Sequence, residues 1–304
     1  MWVVNNRKIF YSFSAILVIA SIVSLFVWGL KPGIDFTGGT LIQLEYQNRP
    51  DQASVVSSLA AIDPSASVRP SGSNEYIVRM KPIDQAEKAT VLAALHANQA
   101  DAASSTDATL ATVKTFDSIG PILGAEALRK AYVSIILVIL GIVIFITFAF
   151  RKVSEPVSSW KYGLTAIIAL VHDVIIPVGV FSVLGHFAGY EVDTLFVTAL
   201  LVVLGFSVHD TIVVFDRVRE NLHTSSGKPF AQVVGESVSQ TFTRSVNTSL
   251  TTLIALVVLY ILGGSVTEHF SLALIVGIAA GTYSSIFIGS PLLVTLQKWS
   301  EKRK

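Results

Sequence analysis

The chain has 304 residues, of which 52% are hydrophobic and 14% are charged, and its formal net charge is +1. Soluble domains carry roughly 25% charged residues, so this composition indicates a membrane protein. The near-neutral balance gives no sign of a nucleic-acid partner, and none is expected. The sequence contains no cysteine, which excludes disulfides and thiolate chemistry.

Apolar stretches of membrane-spanning length recur along the chain. A helix needs about 20 predominantly apolar residues to cross a bilayer. Six stretches meet this requirement, and they are residues 10–30, 131–150, 163–187, 195–215, 246–262 and 270–296. The first follows Arg7 and Lys8 as a signal peptide would, but it is too long and has no small-residue cleavage site. We therefore expect a retained anchor and six transmembrane helices.

Lys and Arg in short loops predict the orientation of these helices. Loops 151–162 and 216–245 are basic, whereas loops 188–194 and 263–269 contain neither residue. This alternation predicts that both termini are cytoplasmic. It divides the chain into a cytoplasmic N-terminus with the first helix (1–30), an extracytoplasmic domain (31–127), helices two to six (128–296) and a basic cytoplasmic tail (297–304).

The predicted outer segment alternates strand and helix patterns. Strand patterns occupy 40–46, 75–80 and 109–116, and helical spacing occupies 51–62 and 82–97. The order β-α-β-α-β predicts a small α+β domain of ferredoxin-like style between helices one and two. The stretches 69–74 and 98–108 are rich in turn-forming residues and are interpreted as linkers.

The stretch GIDFTGGT, residues 33–40, joins the first helix to this domain. Gly33, Gly38 and Gly39 predict an irregular backbone with which larger side chains would clash, and Asp35 is its single charged residue. No lysine follows the glycines and no strand precedes them, so the stretch is not a phosphate loop. We interpret it as a rigid connector.

Asp210 interrupts the fourth apolar stretch. A charge at mid-bilayer costs about 2.5–3.5 kcal/mol on insertion scales. Asp210 lies 16 residues beyond Thr194, which is roughly 24 Å along a helix and nearer the cytoplasmic side. Intramembrane carboxylates mark ion or proton sites, and the alternative is a pair that only fixes helix packing.

Arg244 opens the fifth helix at a similar depth and is the predicted partner of Asp210. An ionised Asp210 would attract Arg244 and a protonated one would not, so the pair would act as a switch. His209 either assists the relay, since imidazole titrates near neutral pH, or is a hydrogen-bonded packing residue.

The dipeptide His172–Asp173 in the third helix invites a metal-site hypothesis that the spacing does not favour. Adjacent residues on a helix point about 100° apart, and no further cluster with ligand spacing follows. We expect no metal, no cofactor and no enzyme activity, and interpret the pair as a packing contact or a secondary relay group. In the sixth helix, the small residues of 277–281 indicate close packing, and Gly289 before Ser290–Pro291 indicates a kink.

Three segments together resemble the SecF family, the bacterial Sec translocon accessory subunits that work with SecD. They are GIDFTGGT after a first helix, VLGFSVHDTIVVFDRVREN in the fourth and SVSQTFTRSVNTSLTT at the start of the fifth. The resemblance covers nearly the whole chain. It implies a fold like the resistance-nodulation-division exporters, with six helices in the plasma membrane that pair with six of SecD. It also implies use of the proton motive force to assist preprotein export through SecYEG.

By position, Asp210 matches the family's intramembrane aspartate and Arg244 matches the arginine associated with proton passage. The family usually has asparagine where this chain has His209, a departure that bears on the pH dependence of the local proton path. The resemblance implies SecD, SecYEG, the translocating preprotein, protons and the lipid bilayer as partners. Two alternatives stay open, which are a small-molecule or lipid exporter subunit of the same superfamily and a purely structural subunit.

Overall fold

The computed structural model of the chain describes residues 1–95, 97–98, 111–149, 158–224 and 227–301. These residues divide into two compact units, one of residues 32–131 and one of residues 1–31 with 132–304. Several sequence predictions lie partly outside the described residues. They are the predicted helix 82–97 at residue 96, the linker at 99–108, the basic loop 151–162 at 151–157, and the tail at 302–304. The positions predicted for the domain boundaries and the sides of the membrane stay predictions.

Six helices in the described part of the chain are long and apolar enough to cross a membrane, which confirms the predicted architecture. They are span 1 (Arg7–Trp28), span 2 (Pro121–Ala149), span 3 (Ser159–Phe187), span 4 (Thr194–Thr224), span 5 (Phe230–Leu262) and span 6. Span 6 joins an α-helix (Ser265–Ser284), a π-helical turn (Ser285–Gly289) and a second α-helix (Ser290–Glu301).

Several spans run well beyond the apolar stretches that predict them, because backbone hydrogen bonding continues where the side chains become polar. The end of span 4 carries i,i+3 ion pairs, with 2.6 Å between Arg219 and Asp216 and 2.6 Å between Arg217 and Glu220. Lys161, predicted in a loop, lies in the first turn of span 3. It is 4% exposed and donates to the Gln297 side chain at 2.8 Å.

Small residues set the closeness of helix packing in the membrane unit. A Cβ at Gly277 would collide with Val203 of span 4, and one at Gly179 of span 3 would collide with Ser21 of span 1. The small residues of 277–281 therefore let span 6 lie close against span 4. The π-helical turn sits just before Pro291, whose ring cannot continue regular α-helical geometry.

The unit of residues 32–131 contains a five-stranded sheet of order β2-β3-β1-β5-β4. The strands are β1 (Gly39–Tyr46), β2 (Ser67–Ser71), β3 (Glu75–Met80), β4 (Ala97–Asn98) and β5 (Ala111–Ile119). All neighbours are antiparallel except the two-residue β4, which is parallel to β5. With the two domain helices, the four longer strands form the predicted ferredoxin-like arrangement.

The strand β2 was not predicted, and part of it lies in the stretch interpreted as the linker 69–74. Its sequence SVRPS buries Val68 against the core but exposes Arg69 and Pro70. Proline is tolerated in a strand at the edge of a sheet, where β2 lies. With one buried side chain, the edge strand β2 has too weak an alternation of apolar and polar residues to be recognised from sequence.

The two predicted domain helices are observed as Gln52–Ala60 and Gln85–Ala94. Each begins after an aspartate whose carboxylate accepts from backbone N–H groups of the first turn, Asp51 in one case and Asp84 in the other. Glu87 completes a capping box with Asp84. The helices and the inward residues of β1, which are Ile42, Leu44 and Tyr46, form the core of the unit.

Candidate functional site

Asp210 lies inside the helix bundle and is held by two serine hydroxyls. Its side chain, on span 4, is buried, with 7% of the residue exposed. Ser245 of span 5 donates to Asp210 Oδ1 at 2.5 Å, and Ser285 of span 6 donates to Oδ2 at 2.6 Å. The carboxylate therefore joins three spans through neutral donors.

A second polar contact continues this connection between spans 5 and 6. Thr282 donates from its hydroxyl to Ser249 Oγ at 2.6 Å, and Ser249 donates to the backbone carbonyl of Ser245 at 3.0 Å. Thr282 and Ser249 each lie about one helical turn from the serines that bind Asp210. Ser245 and Ser249 of span 5 thus take part in interhelical hydrogen bonds, as expected for hydroxyls within a membrane.

A second buried carboxylate, Asp173 of span 3, lies in the same bundle. Its residue has 0% exposure, and Oδ1 lies 2.8 Å from His172 Nδ1. Oδ2 accepts hydrogen bonds from the hydroxyls of Ser207 on span 4 and Ser284 on span 6, the latter at 2.7 Å. Asp173 therefore also joins three spans, and Ser284 and Ser285 are consecutive residues that serve different carboxylates.

Arg244 and His209 are not brought to Asp210. Both are exposed on the surface of the membrane unit, and no ion pair among the described residues joins Arg244 to Asp210. Because neighbours on a helix point about 100° apart, Ser245 faces Asp210 while Arg244 faces outward. Asn247 and Thr248 are exposed as well, so this face of span 5 is polar.

The predicted connector has a compact backbone. Its residues Ile34–Thr37 form a short helix that follows Gly33 and contains Asp35 in its first turn. Gly38 has φ of +73° and Gly39 has φ of +131°. Residues that carry a side chain rarely adopt a positive φ, so both positions favour glycine.

The connector packs against the first turn of span 2 inside the unit of residues 32–131. A Cβ at Gly38 would lie 2.9 Å from Pro121 Cα, and a Cβ at Gly124 would lie 2.8 Å from the Gly38 nitrogen. Both distances are shorter than real Cβ contacts, so each glycine is required by the approach of the two backbones. This close contact supports the interpretation of a rigid segment.

Sequence reasoning did not identify Ser207, Ser284, Ser285 or Gly124 as site residues. Serine is common in membrane helices, so a single hydroxyl carries little signal. The position of these serines does carry a signal. Ser207 lies three residues before Asp210, and Ser284 and Ser285 lie at the start of the π-helical turn of span 6. Irregular turns of this kind are frequent at functional sites.

No group of three or more His, Cys, Asp or Glu side chains among the described residues is arranged to hold a metal ion. The donors around Asp173 and Asp210 are hydroxyls and one imidazole, a set suited to hydrogen bonding with a carboxylate. Both carboxylates are therefore held by hydroxyl groups that can reorient, since a hydroxyl can donate or accept a hydrogen bond.

Comparison with known proteins places these features in one family. Residues 99–299 match the C-terminal domain of the protein export membrane proteins SecD/SecF, and residues 23–48 match the SecD/SecF GG motif. The second match contains the connector with Gly38 and Gly39.

Relatives match over nearly the whole chain. The protein translocase subunit SecF of Thermobaculum terrenum is 42% identical, with 99% of this chain and 94% of that protein covered. The translocase subunit SecDF of Thermus thermophilus is 34% identical over all of this chain and 40% of that protein. The crystal structure of Thermus thermophilus SecDF, a translocon-associated membrane protein, superposes with a TM-score of 0.81 at 31% identity over 97% of this chain. This chain spans 38% of that structure. The chain belongs to the SecD/SecF family of protein export membrane proteins.

Proposed function

We propose that this chain is a SecF-type accessory subunit of the Sec protein translocase, which works with SecD and uses the proton motive force to assist export. It is a transport subunit rather than an enzyme. The names of its full-length relatives support the role in protein translocation. The observation that carries the use of protons is the buried Asp210 carboxylate, held by Ser245 and Ser285.

Asp210 suits a proton-binding role because its hydrogen-bond partners, the hydroxyls of Ser245 and Ser285, are neutral. A carboxylate buried in hydrocarbon is costly unless it is paired, hydrogen-bonded or neutralised. Two hydroxyl donors stabilise the ionised form in part, and a proton removes the charge altogether. One proton that moves across the membrane releases about 2.3 kcal/mol per 100 mV of potential.

Protonation of Asp210 changes its hydrogen bonds to two spans. An ionised carboxylate only accepts, so both serines donate to it, whereas a protonated carboxyl also donates. Either Ser245 or Ser285 must then turn its hydroxyl into an acceptor. The proton therefore biases the packing of spans 5 and 6 against span 4, which is the change a bistable bundle needs.

The exposed polar face with His209, Arg244, Asn247 and Thr248 supports a partner in the membrane. Polar side chains at hydrocarbon depth need protein or water beside them. We propose that the helices of SecD cover this face and that Arg244 meets the proton path there. The Thermus thermophilus relative carries both names in one chain, of which this chain covers 40%.

We also propose that both termini face the cytoplasm of a bacterial cell and that the domain lies outside the plasma membrane. The alternation of basic loops with loops that contain no Lys or Arg supports this orientation. On the outer side, the domain would meet the preprotein that emerges from SecYEG.

Asp210→Asn tests the proton-binding role, because asparagine keeps the shape of the side chain but does not titrate. In cells whose only copy of this chain carries Asp210→Asn, pulse-chase export of a secreted preprotein should slow to the level of cells lacking the chain. The matched control is Asp216→Asn, an exposed aspartate on the same span, which should leave export near normal. Membrane abundance and co-purification with SecD are measured for both variants.

Normal export with Asp210→Asn at normal abundance would contradict the proton-binding role. Asp210 would then be a packing group, and the chain a structural subunit. Slow export together with lost co-purification would also favour the structural alternative.

The connector is proposed to transmit helix movement to the outer domain, because Pro121 and Gly124 begin the helix that continues as span 2. Gly38→Ala introduces a Cβ against Pro121 at a positive φ. Gly72→Ala is the matched control, since Gly72 also has positive φ, +58°, but its Cβ would meet nothing within 4 Å. We expect Gly38→Ala to slow export several-fold more than Gly72→Ala, and equal effects would refute the coupling role.

A further inference from the structure

We propose that Asp173 and His172 form a second proton-binding site, which acts on the same turn of span 6 as Asp210. The proposal rests on the proposed function for its link to export. Among the described residues of the membrane unit, Asp173 is the most buried carboxylate, at 0% exposure, yet the role of Asp210 leaves it unexplained. Its partners come from three spans, and they are His172, Ser207 and Ser284.

The hydrogen bonds at His172 indicate where the proton is held. Nδ1 of His172 lies 2.8 Å from Asp173 Oδ1, while Nε2 is buried without a hydrogen-bond partner. When the His172 ring is neutral and carries its hydrogen on Nδ1, it donates to the Asp173 carboxylate. The buried Nε2 then carries no hydrogen and lacks a hydrogen-bond partner. A protonated ring would bury an unpaired N–H of a cation, which costs more. An added proton is therefore held by the Asp173 carboxyl group.

The hydroxyls on Oδ2 can accommodate that proton. Ser207 and Ser284 both donate to Oδ2 of the ionised carboxylate. When Oδ2 carries the proton, one of these hydroxyls turns to accept it, since a hydroxyl can donate or accept. The site therefore has a hydrogen-bonded arrangement for either state.

The charged and titratable groups near Asp173 include Asp210, because the two carboxylates bind consecutive serines of span 6. On span 4, Asp210 follows Ser207 by three residues, which is about 4.5 Å of helix rise. On span 6, Tyr283 stacks on the His172 ring and donates its hydroxyl to the Phe10 carbonyl. Residues 10–28 of span 1 contain no charged group, and Arg244 of span 5 faces outward. Two ionised carboxylates in this region repel, so a proton at one site alters the affinity of the other.

Span 6 receives the effect of both sites at one place. Ser284 binds Asp173 and Ser285 binds Asp210, and the π-helical turn begins at Ser285. Consecutive residues point in different directions, so the two serines reach spans 3 and 4 separately. A proton at either carboxylate changes a hydrogen bond to this turn, and span 6 responds to the combined protonation state.

The test is infrared difference spectroscopy of the full chain in lipid vesicles, recorded as the pH is varied. We expect two carbonyl bands of protonated carboxyl groups, one lost in Asp173→Asn and the other in Asp210→Asn. Asp173→Asn should also shift the pH midpoint of the remaining band. Asp216→Asn, whose carboxylate is exposed, should retain both bands.

An unchanged spectrum in Asp173→Asn at every pH would overturn the proposal. If that variant fails to fold, Ser284→Ala and His172→Gln replace it, and each should move the frequency of one carboxyl band. No movement in either variant would equally overturn the second site. A spectrum that keeps the Asp173 band, combined with export that is insensitive to Asp210→Asn, would refute the proposed function but not the second site.

Discussion

Two buried aspartates, one in each unit of the chain, are held by different kinds of donor. Asp63 of the sheet domain is 5% exposed and accepts from the backbone N–H groups of Ser65 and Lys81, at 2.9 Å and 2.7 Å, and from the Ser65 hydroxyl. Asp210 accepts from serine hydroxyls. A backbone N–H can only donate, whereas a hydroxyl can also accept.

This difference shows that buried carboxylates can have different roles, depending on the donors that surround them. Burial by itself would raise the pKa of Asp63, but the hydrogen bonds from Ser65 and Lys81 outweigh it and lower that pKa. Fixed donors therefore keep Asp63 ionised, and its hydrogen bonds join the loop before β2 to the end of β3. The hydroxyl donors around Asp210 and Asp173 can reverse their direction, as the proposed proton exchange requires.

The largest expected effect in this comparison is on the stability of the domain. Asp63→Ala leaves the Lys81 and Ser65 amides without their acceptor, and hydrogen bonds to charged groups are worth about 1.5–3 kcal/mol. Amide hydrogen exchange in the full chain should report an opening free energy at Lys81 that is lower by roughly this amount. Asp117→Ala, at an exposed aspartate of β5, is the control and should stay within about 0.5 kcal/mol. If the opening free energy at Lys81 fell equally in the two variants, Asp63 would have no special stabilising role.

A smaller effect is expected when one reversible donor is removed. Ser285→Ala deletes a hydroxyl bound to Asp210, a change worth about 1.5 kcal/mol, and should slow preprotein export roughly tenfold in pulse-chase measurements. Ser271→Ala is matched to it, because Ser271 is buried in the same span and donates only to backbone carbonyls of its own helix. Ser285→Thr keeps a hydroxyl and should restore export. If Ser271→Ala slows export as much, the donor to Asp210 has no special role.

The smallest effect is the pH dependence of the domain. The folded-state pKa of Asp63 lies below its ordinary value of 3.8, so its contribution is present above that pH and is lost as the pH falls through the folded-state pKa. Between pH 6 and 8, exchange at Lys81 corrected for intrinsic rates should show no change from this group. In Asp63→Asn, the opening free energy at Lys81 should depend less on pH below about pH 4. A wild-type profile that is already flat there would contradict the lowered pKa.

Much of the fold was predictable because apolar length and alternation are local properties. The six spans follow from runs of apolar residues, and the domain helices follow from their spacing. The edge strand β2 was missed, since Pro70 and its single buried Val68 resemble a turn-rich linker. The ends of spans 2, 4 and 5 were misplaced because hydropathy marks the apolar part of a helix, not its hydrogen-bonded length.

The site was predictable only in part. Asp210 stands out in an apolar stretch, and the connector glycines stand out in eight residues. The partner of Asp210 depended on which way each side chain of span 5 faces. Arg244 and Ser245 are neighbours in sequence, yet only Ser245 reaches the carboxylate.

The sequence by itself determined that this protein is a multi-pass membrane protein with a small α+β domain and a carboxylate at membrane depth. Composition and periodicity are sufficient for that, because the bilayer and the pleated sheet impose fixed lengths and repeats on the chain. Only the tertiary structure decided that Asp173 and Asp210 share consecutive serines of span 6. The physical reason is that hydrogen bonds between spans depend on helix rotation and close approach at glycines, and neither is encoded by any one segment alone.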